Sequence, residues 1–178
     1  QLEERARRAK ERSVDLFTNG KDQPFVLERY SQAFMELVKA ERFVFSNMSW
    51  DDDDIQTFSL VLPSCQALED LDLYANAIAC AGIASLAESL PRNLKTLRLS
   101  HNKIDDAAIK ILVEALLESK LEVLLLSRNN IGHESARILA EALPKMGLRC
   151  LDLRLNKGIG SKGNAAILNA APEGCKVL

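Results

Sequence analysis

The chain has 178 residues, with 23 lysines and arginines against 25 aspartates and glutamates, for a formal net charge of −2. Apolar residues make up 47% and charged residues 27%, the mix of an ordinary folded domain. This excludes a collagen-like fibre, a long disordered tail and a strongly basic nucleic-acid binder. No apolar run approaches the roughly 18–20 residues that cross a bilayer.

Residues 1–39 read as helical. Gln1 to Phe17 is a charged helix with Leu2, Ala6 and Ala9 on a thin apolar stripe, and Asn19-Gly20 ends it. Glu3, Glu4 and Glu11 set this stretch apart from a transit peptide, which avoids acids. The first residue is Gln1 rather than Met, so residues upstream are expected. A second helix begins near Pro24, a residue suited to a first turn. Leu27, Tyr30, Phe34, Leu37 and Val38 give it an apolar face, and its expected job is to cover the start of the segment that follows.

That segment, residues 40–178, repeats itself. Leu68, Leu71, Leu73, Asn76 and Ile78 recur as Leu94, Leu97, Leu99, Asn102 and Ile104. They recur again as Leu121, Leu124, Leu126, Asn129 and Ile131, then as Leu148, Leu151, Leu153, Asn156 and, one residue late, Ile159. The steps between first leucines are 26, 27 and 27 residues. Such a period marks a solenoid of stacked coils. L-x-x-L-x-L turns alternate apolar side chains to one face of a short strand. A buried asparagine is costly without partners, so its periodic return predicts a ladder of bonds to the backbone of neighbouring coils.

The second half of each coil is helical. Ile83, Leu86, Ala87 and Leu90 lie at helix spacing, as do Ile109, Leu112, Val113 and Leu116, and then Ala136, Leu139, Ala140 and Leu143. In the last coil Ile167, Leu168 and Ala171 serve. Asp105 and Asp106 are candidate helix caps, and Pro91 and Pro144 mark helix ends. Stepping back 28 residues from Leu68 reaches a degenerate first coil: Ala40, Phe43, Phe45, Met48 and Trp50, with the helix stripe Ile55, Phe58 and Leu62. Terminal repeats are expected to be atypical. Stepping forward 27 residues puts Cys175 in the place of Leu148 and Leu178 in that of Leu151, so one more strand begins and stops.

These residues resemble leucine-rich repeats, specifically the ribonuclease-inhibitor-like class, over residues 40–178. The resemblance implies an α/β fold: a right-handed curved solenoid with a short parallel sheet inside and helices outside. It also implies protein recognition through the concave side or its rim. The domain reading is therefore an N-terminal helical cap, 1–39, and a repeat domain of about five units, 40–178. The function it implies is a non-catalytic protein–protein interaction module, a scaffold or accessory subunit of a larger assembly. Such a module binds other proteins, not nucleic acid, through the concave face and the solenoid ends. The alternative is a regulator of a small GTPase, resembling the leucine-rich-repeat GTPase activators, which are much longer. Ribonuclease inhibitor itself is far richer in cysteine. The strand at Cys175 would leave an edge that more chain or a partner is expected to cover.

Motifs for catalysis are missing. No G-x-S-x-G elbow or H-E-x-x-H helix occurs. Gly158, Gly160 and Gly163 are spaced as G-x-G-x-x-G but lie after an asparagine turn, without a nucleotide-binding βαβ context, and read as turn glycines. His101 and His133 fall on different coils at surface positions. Asp51 to Asp54 lack the glycine and distal glutamate of a calcium loop and read as the charged start of a helix. No enzyme, cofactor or metal is expected. Cys65, Cys80, Cys150 and Cys175 form no C-x-x-C and read as reduced apolar fillers. They point to an intracellular reducing compartment, cytoplasmic by default and organellar if a targeting sequence preceded Gln1.

The strand register lists what faces the partner side. The central column reads Val44, Asp72, Arg98, Leu125 and Asp152, in which Asp72 and Arg98 are expected to pair across adjacent strands. Val123, Leu125, Cys150 and Leu155 form an apolar cluster, and such clusters mark contact sites. Tyr74, Arg128 and Arg154 are expected rim anchors. The candidate partner-binding set is thus Tyr74, Arg98, Val123, Leu125, Arg128, Cys150, Arg154 and Leu155.

Overall fold

The structure, a computed structural model, describes residues 23–178. The expected helix Gln1–Phe17 and its Asn19-Gly20 stop lie outside the described residues. The described residues fall into two parts, 23–39 and Ala40–Leu178. In the first, helix α1 (Gln23–Leu37) has Pro24 in its opening turn, where the missing N–H of proline goes unmissed.

In the second part, short strands alternate with helices: β1 (Arg42–Val44), α2 (Asp52–Ser59), β2 (Asp70–Asp72), α3 (Cys80–Ser89), β3 (Thr96–Arg98) and α4 (Asp106–Leu116), followed by β4 (Val123–Leu125), α5 (His133–Ala142), β5 (Cys150–Asp152), α6 (Gly160–Ala170) and β6 (Lys176–Val177). The strands make one six-stranded sheet in chain order, every pair parallel. Neighbouring helices pack side by side in the same order. Strands sit about 4.8 Å apart while packed helices need about 8–10 Å, so the stack bends with the sheet on its concave side.

The leucines do what their spacing predicts. Phe43, Leu71, Leu97, Leu124 and Leu151 are the middle residues of successive strands, and all are buried. Leu73, Leu99, Leu126 and Leu153 form a second buried column, and Ile78, Ile104, Ile131 and Ile159 a third. Each such side chain contributes about 1.5–3 kcal/mol when taken fully from water. The first coil fills its wider volume with rings: Phe45 stacks on Trp50 with centroids 4.8 Å apart, and Phe58 meets Phe45 edge-on at 5.3 Å.

The asparagine ladder is present, and it has a direction. Asn129 donates through Nδ2 to the carbonyls of Leu126 and, in the preceding coil, Leu99, both at 3.0 Å. Its Oδ1 accepts from the Ile104 N–H at 3.0 Å. Asn102 repeats this toward Leu73 and Ile78, and Asn156 toward Leu126, Asn129 and Ile131. Every asparagine therefore serves the coil before its own. The first coil is served by Asn76, which accepts from the Met48 and Trp50 N–H groups and donates to Phe45 O. Met48 can replace an asparagine because its own backbone is satisfied from the next coil.

Helix caps also cross between coils. Asp51 caps α2 with Asp54 closing a capping box, and Asp105 caps α4 through Ala108 N–H at 3.0 Å. Asp106, expected as a cap of its own helix, instead accepts from Gly132 N–H at 2.7 Å, Ser135 N–H at 3.3 Å and the Ser135 hydroxyl, so it caps α5. Asp52 likewise reaches Ala79 N–H, 2.7 Å away, at the start of α3. The residues at those two starts, Ala79 and Gly132, have no capping side chain of their own. Gly132 makes the Asp106 contact possible: a Cβ there would lie 2.7 Å from the Asp106 Oδ2.

Burial opposes ionisation of Asp106, but the bonds from Ser135 Oγ and from the Gly132 and Ser135 N–H groups outweigh it and hold the carboxyl below its ordinary 3.8. A depressed carboxyl pKa contributes stability above its unfolded value, and that stability is lost as pH falls through the folded value. Asp106→Asn is expected to cost about 1–2 kcal/mol at neutral pH. The cost should shrink as both proteins are acidified below about pH 4, a trend that urea melts at several pH values would read.

Two expectations fail at the last coil. The final strand pairs Cys150 with Lys176 and Leu151 with Val177, a step of 26 residues. Val177, not Leu178, therefore takes the inward place, and Cys175 does not replace Leu148. The link after α6 is tight: Cys175 N–H bonds to Pro172 O at 3.0 Å, and Gly174 turns with φ +84. Leu168, expected in the buried stripe, is 58% exposed, because it lines an open hollow with Val177 and Leu178 while Ile167 fills the core. The late Ile159 is explained by Gly158, the extra residue, whose bridge to Gly132 brings the backbones so close that a Cβ would sit 2.9 Å from Gly132 Cα.

Candidate functional site

The concave face is built from the first and third residues of each strand and the turns that follow. The turn residues Ala75, His101, Arg128 and Leu155, each just before a ladder asparagine, have φ between 54 and 62. A left-handed backbone at non-glycine residues is uncommon, and here it aims these side chains at the rim. Nothing in the repeat pattern announces it, since the usual glycine or asparagine is missing at those positions.

Most charges on this face pair with one another. Asp70 lies between Arg42, 3.4 Å away, and Arg98. Lys95 meets Glu69 at 2.7 Å, and Arg149 meets Glu122 at 3.3 Å. The expected Asp72–Arg98 pair does not form. The two are opposite in register, but Asp72 accepts the Tyr74 N–H at 2.9 Å, and the longer Arg98 slants back to Asp70. Exposed pairs of this kind add little stability, so their effect is to leave few free charges on the sheet.

Asp152, expected to face outward, is buried, and so is Ser100 on the same side of the sheet. Ser100 Oγ accepts from Ser127 N–H at 3.1 Å. Asp152 is covered by its own neighbour: Arg154 donates from Nε at 2.9 Å, Nη2 at 2.8 Å and its backbone N–H at 3.1 Å. Burial opposes ionisation of Asp152, and Arg154 outweighs it, keeping the carboxyl below the ordinary range. This positioning role of Asp152 went unseen in the sequence, where it read as a plain surface acid.

The candidate residues fall into two groups. Val123, Leu125 and Cys150 are half-buried and contiguous, with Val123 opposite Cys150 and Leu125 opposite Asp152. Leu155 is 61% exposed and stands in the turn beyond β5, beside Arg154 and within one strand of Arg128. Tyr74 and Arg98 lie on the sheet's other half, Tyr74 tilted against His101 with centroids 5.9 Å apart. His101 was missed as Tyr74's neighbour because the two are 27 positions apart.

Among the described residues, no group of three or more histidines, cysteines and acids is placed to hold a metal. The four aspartates at Asp51–Asp54 include two that complete a capping box and one that reaches α3. All four thiols are free, and burial pushes Cys65, Cys80 and Cys175 above their ordinary range, away from the reactive thiolate form. No described helix is long and apolar enough to cross a membrane.

Known proteins agree with this architecture. The sequence profile of the Leucine Rich repeat family matches residues 91–112 and 147–168. A solved structure of leiomodin-1 actin-binding site 2 superposes with a TM-score of 0.64 at 16% identity, covering 78% of this chain and 85% of that one. The tropomodulin C-terminal domain of Caenorhabditis elegans does so at 0.63 and 12%, covering 78% and 89%. No curated protein matches in sequence. Ala40–Leu178 therefore has the leucine-rich-repeat fold, an α/β solenoid with one parallel sheet, and carries the family's repeat at residues 91–112 and 147–168.

Proposed function

We propose that this domain is a non-catalytic protein-binding module, a scaffold or accessory subunit, that holds its partner on the concave face. The observation that carries the reading is the Val123–Leu125–Cys150 cluster. It is a contiguous apolar patch on a face most of whose charges are paired, and burying it against a partner is favourable where burying paired charges is not. Tyr74, Arg128, Arg154 and Leu155 would serve as rim anchors and Arg98 as a central polar contact. The fold supports protein binding by analogy, since one similar structure is described as an actin-binding site. Actin is accordingly the first protein to try.

The test is Leu125→Asp. Leu125 lies on the outer side of β4, so the variant is expected to keep its unfolding midpoint while partner affinity, measured after capture and mass spectrometry or with purified actin, falls roughly tenfold or more. Unchanged affinity would remove the concave face from consideration.

A further inference from the structure

Beyond the sheet, Ser127, Arg128, Arg154 and Leu155 line an open hollow of about 530 Å³ at the rim of the fourth and fifth coils. One of its walls is held by an ion pair. Arg154 is clamped to Asp152 through Nε and Nη2, yet its side chain stays 62% exposed. The clamp fixes the guanidinium before any ligand arrives, so little side-chain entropy remains to be lost on binding. Arg128 stands one coil away, its N–H bonded to Arg154 O at 2.9 Å, and makes no ion pair among the described residues. Two guanidiniums therefore share one hollow with a single, buried carboxylate behind them. That leaves a net positive charge with free donors. Leu155, 61% exposed, is pushed outward beside them by its left-handed backbone.

We propose that this hollow receives an acidic amphipathic polypeptide segment of the partner, a glutamate or aspartate on Arg128 and Arg154 and an aliphatic side chain on Leu155. The inference deepens the concave-face reading and rests on it. Charge complementarity selects the occupant: a carboxylate fits the bidentate geometry of a guanidinium, and the aliphatic wall favours a side chain that a nucleic-acid backbone does not carry.

The test uses short labelled helical peptides built from leucine and one polar residue (glutamate, glutamine or lysine) and a single-stranded oligonucleotide, titrated by fluorescence anisotropy against the whole chain. The glutamate peptide is expected to bind at least about tenfold more tightly than the glutamine peptide, with Arg128→Glu removing that advantage. Arg128→Gln separates loss of charge from reversal and should fall between the two. Equal affinity for glutamate and glutamine peptides, tighter binding of the oligonucleotide, no binding of the glutamate peptide, or indifference to Arg128→Glu would each overturn the proposal. Leu125→Asp keeps the two readings apart: if it still weakens capture of the protein partner, the concave face stands and only the acidic segment is lost.

Discussion

Asn129→Ala is expected to lower the unfolding free energy by about 3–5 kcal/mol. The side chain is 8% exposed and satisfies three buried backbone groups: Leu99 O, Leu126 O and the Ile104 N–H. Truncation leaves the Ile104 N–H without a partner in a space closed to water, at a cost of about 1–3 kcal/mol, and removes one of the two amide donors at Leu99 O and Leu126 O, which Asn102 and Asn156 still reach, at about 0.5–1.5 kcal/mol for each lost bond. The damage lies in the preceding coil as well as its own, so the break falls between the third and fourth coils. Chemical denaturation would read it as a lowered midpoint, or as two transitions in place of one. Met48→Ala, at the matching place in the first coil, should cost far less because Asn76 supplies those bonds. Equal costs at the two positions would disprove the backward-facing ladder.

Leu124→Ala should cost about 2–5 kcal/mol, the usual range for a truncated core leucine. Leu124 is fully buried between Leu97 and Leu151 on the strands to either side. No element can shift to fill the gap, because each strand is held to both neighbours. Leu125→Ala, one position on, is expected to cost less than about 1 kcal/mol, since its half-buried side chain leaves the hydrophobic column intact. The contrast is a direct check of register, because a slip by one residue would exchange the two costs.

The repeat made most of the fold readable in advance. Leu71, Leu97, Leu124 and Leu151 could be placed in one layer without coordinates, because alternation along a strand allows only one face to be apolar. The asparagines foretold a ladder for the same reason: a buried amide must have partners, and the only ones at a constant distance are the neighbouring coils. The candidate site was legible in part. Val123, Leu125 and Cys150 were placed on one face by register alone.

Other features turned on how far individual side chains reach. Arg98 chose Asp70 over Asp72, Asp106 capped the next helix rather than its own, and Asp152 sank behind Arg154. None of these follows from spacing, because a flexible charged side chain has several acceptors within reach, and the rotamer is decided by which of them the backbone has already used. The step to β6 shortened from 27 to 26 through a turn whose length no periodicity prescribes. By itself, then, the sequence determined the solenoid, its layers and its concave face, since these follow from hydrophobic period and backbone hydrogen-bond demand. Only the tertiary structure decided which charges cancel, which stay free at Arg128, and where the rim opens, because those depend on contacts between coils some 27 residues apart.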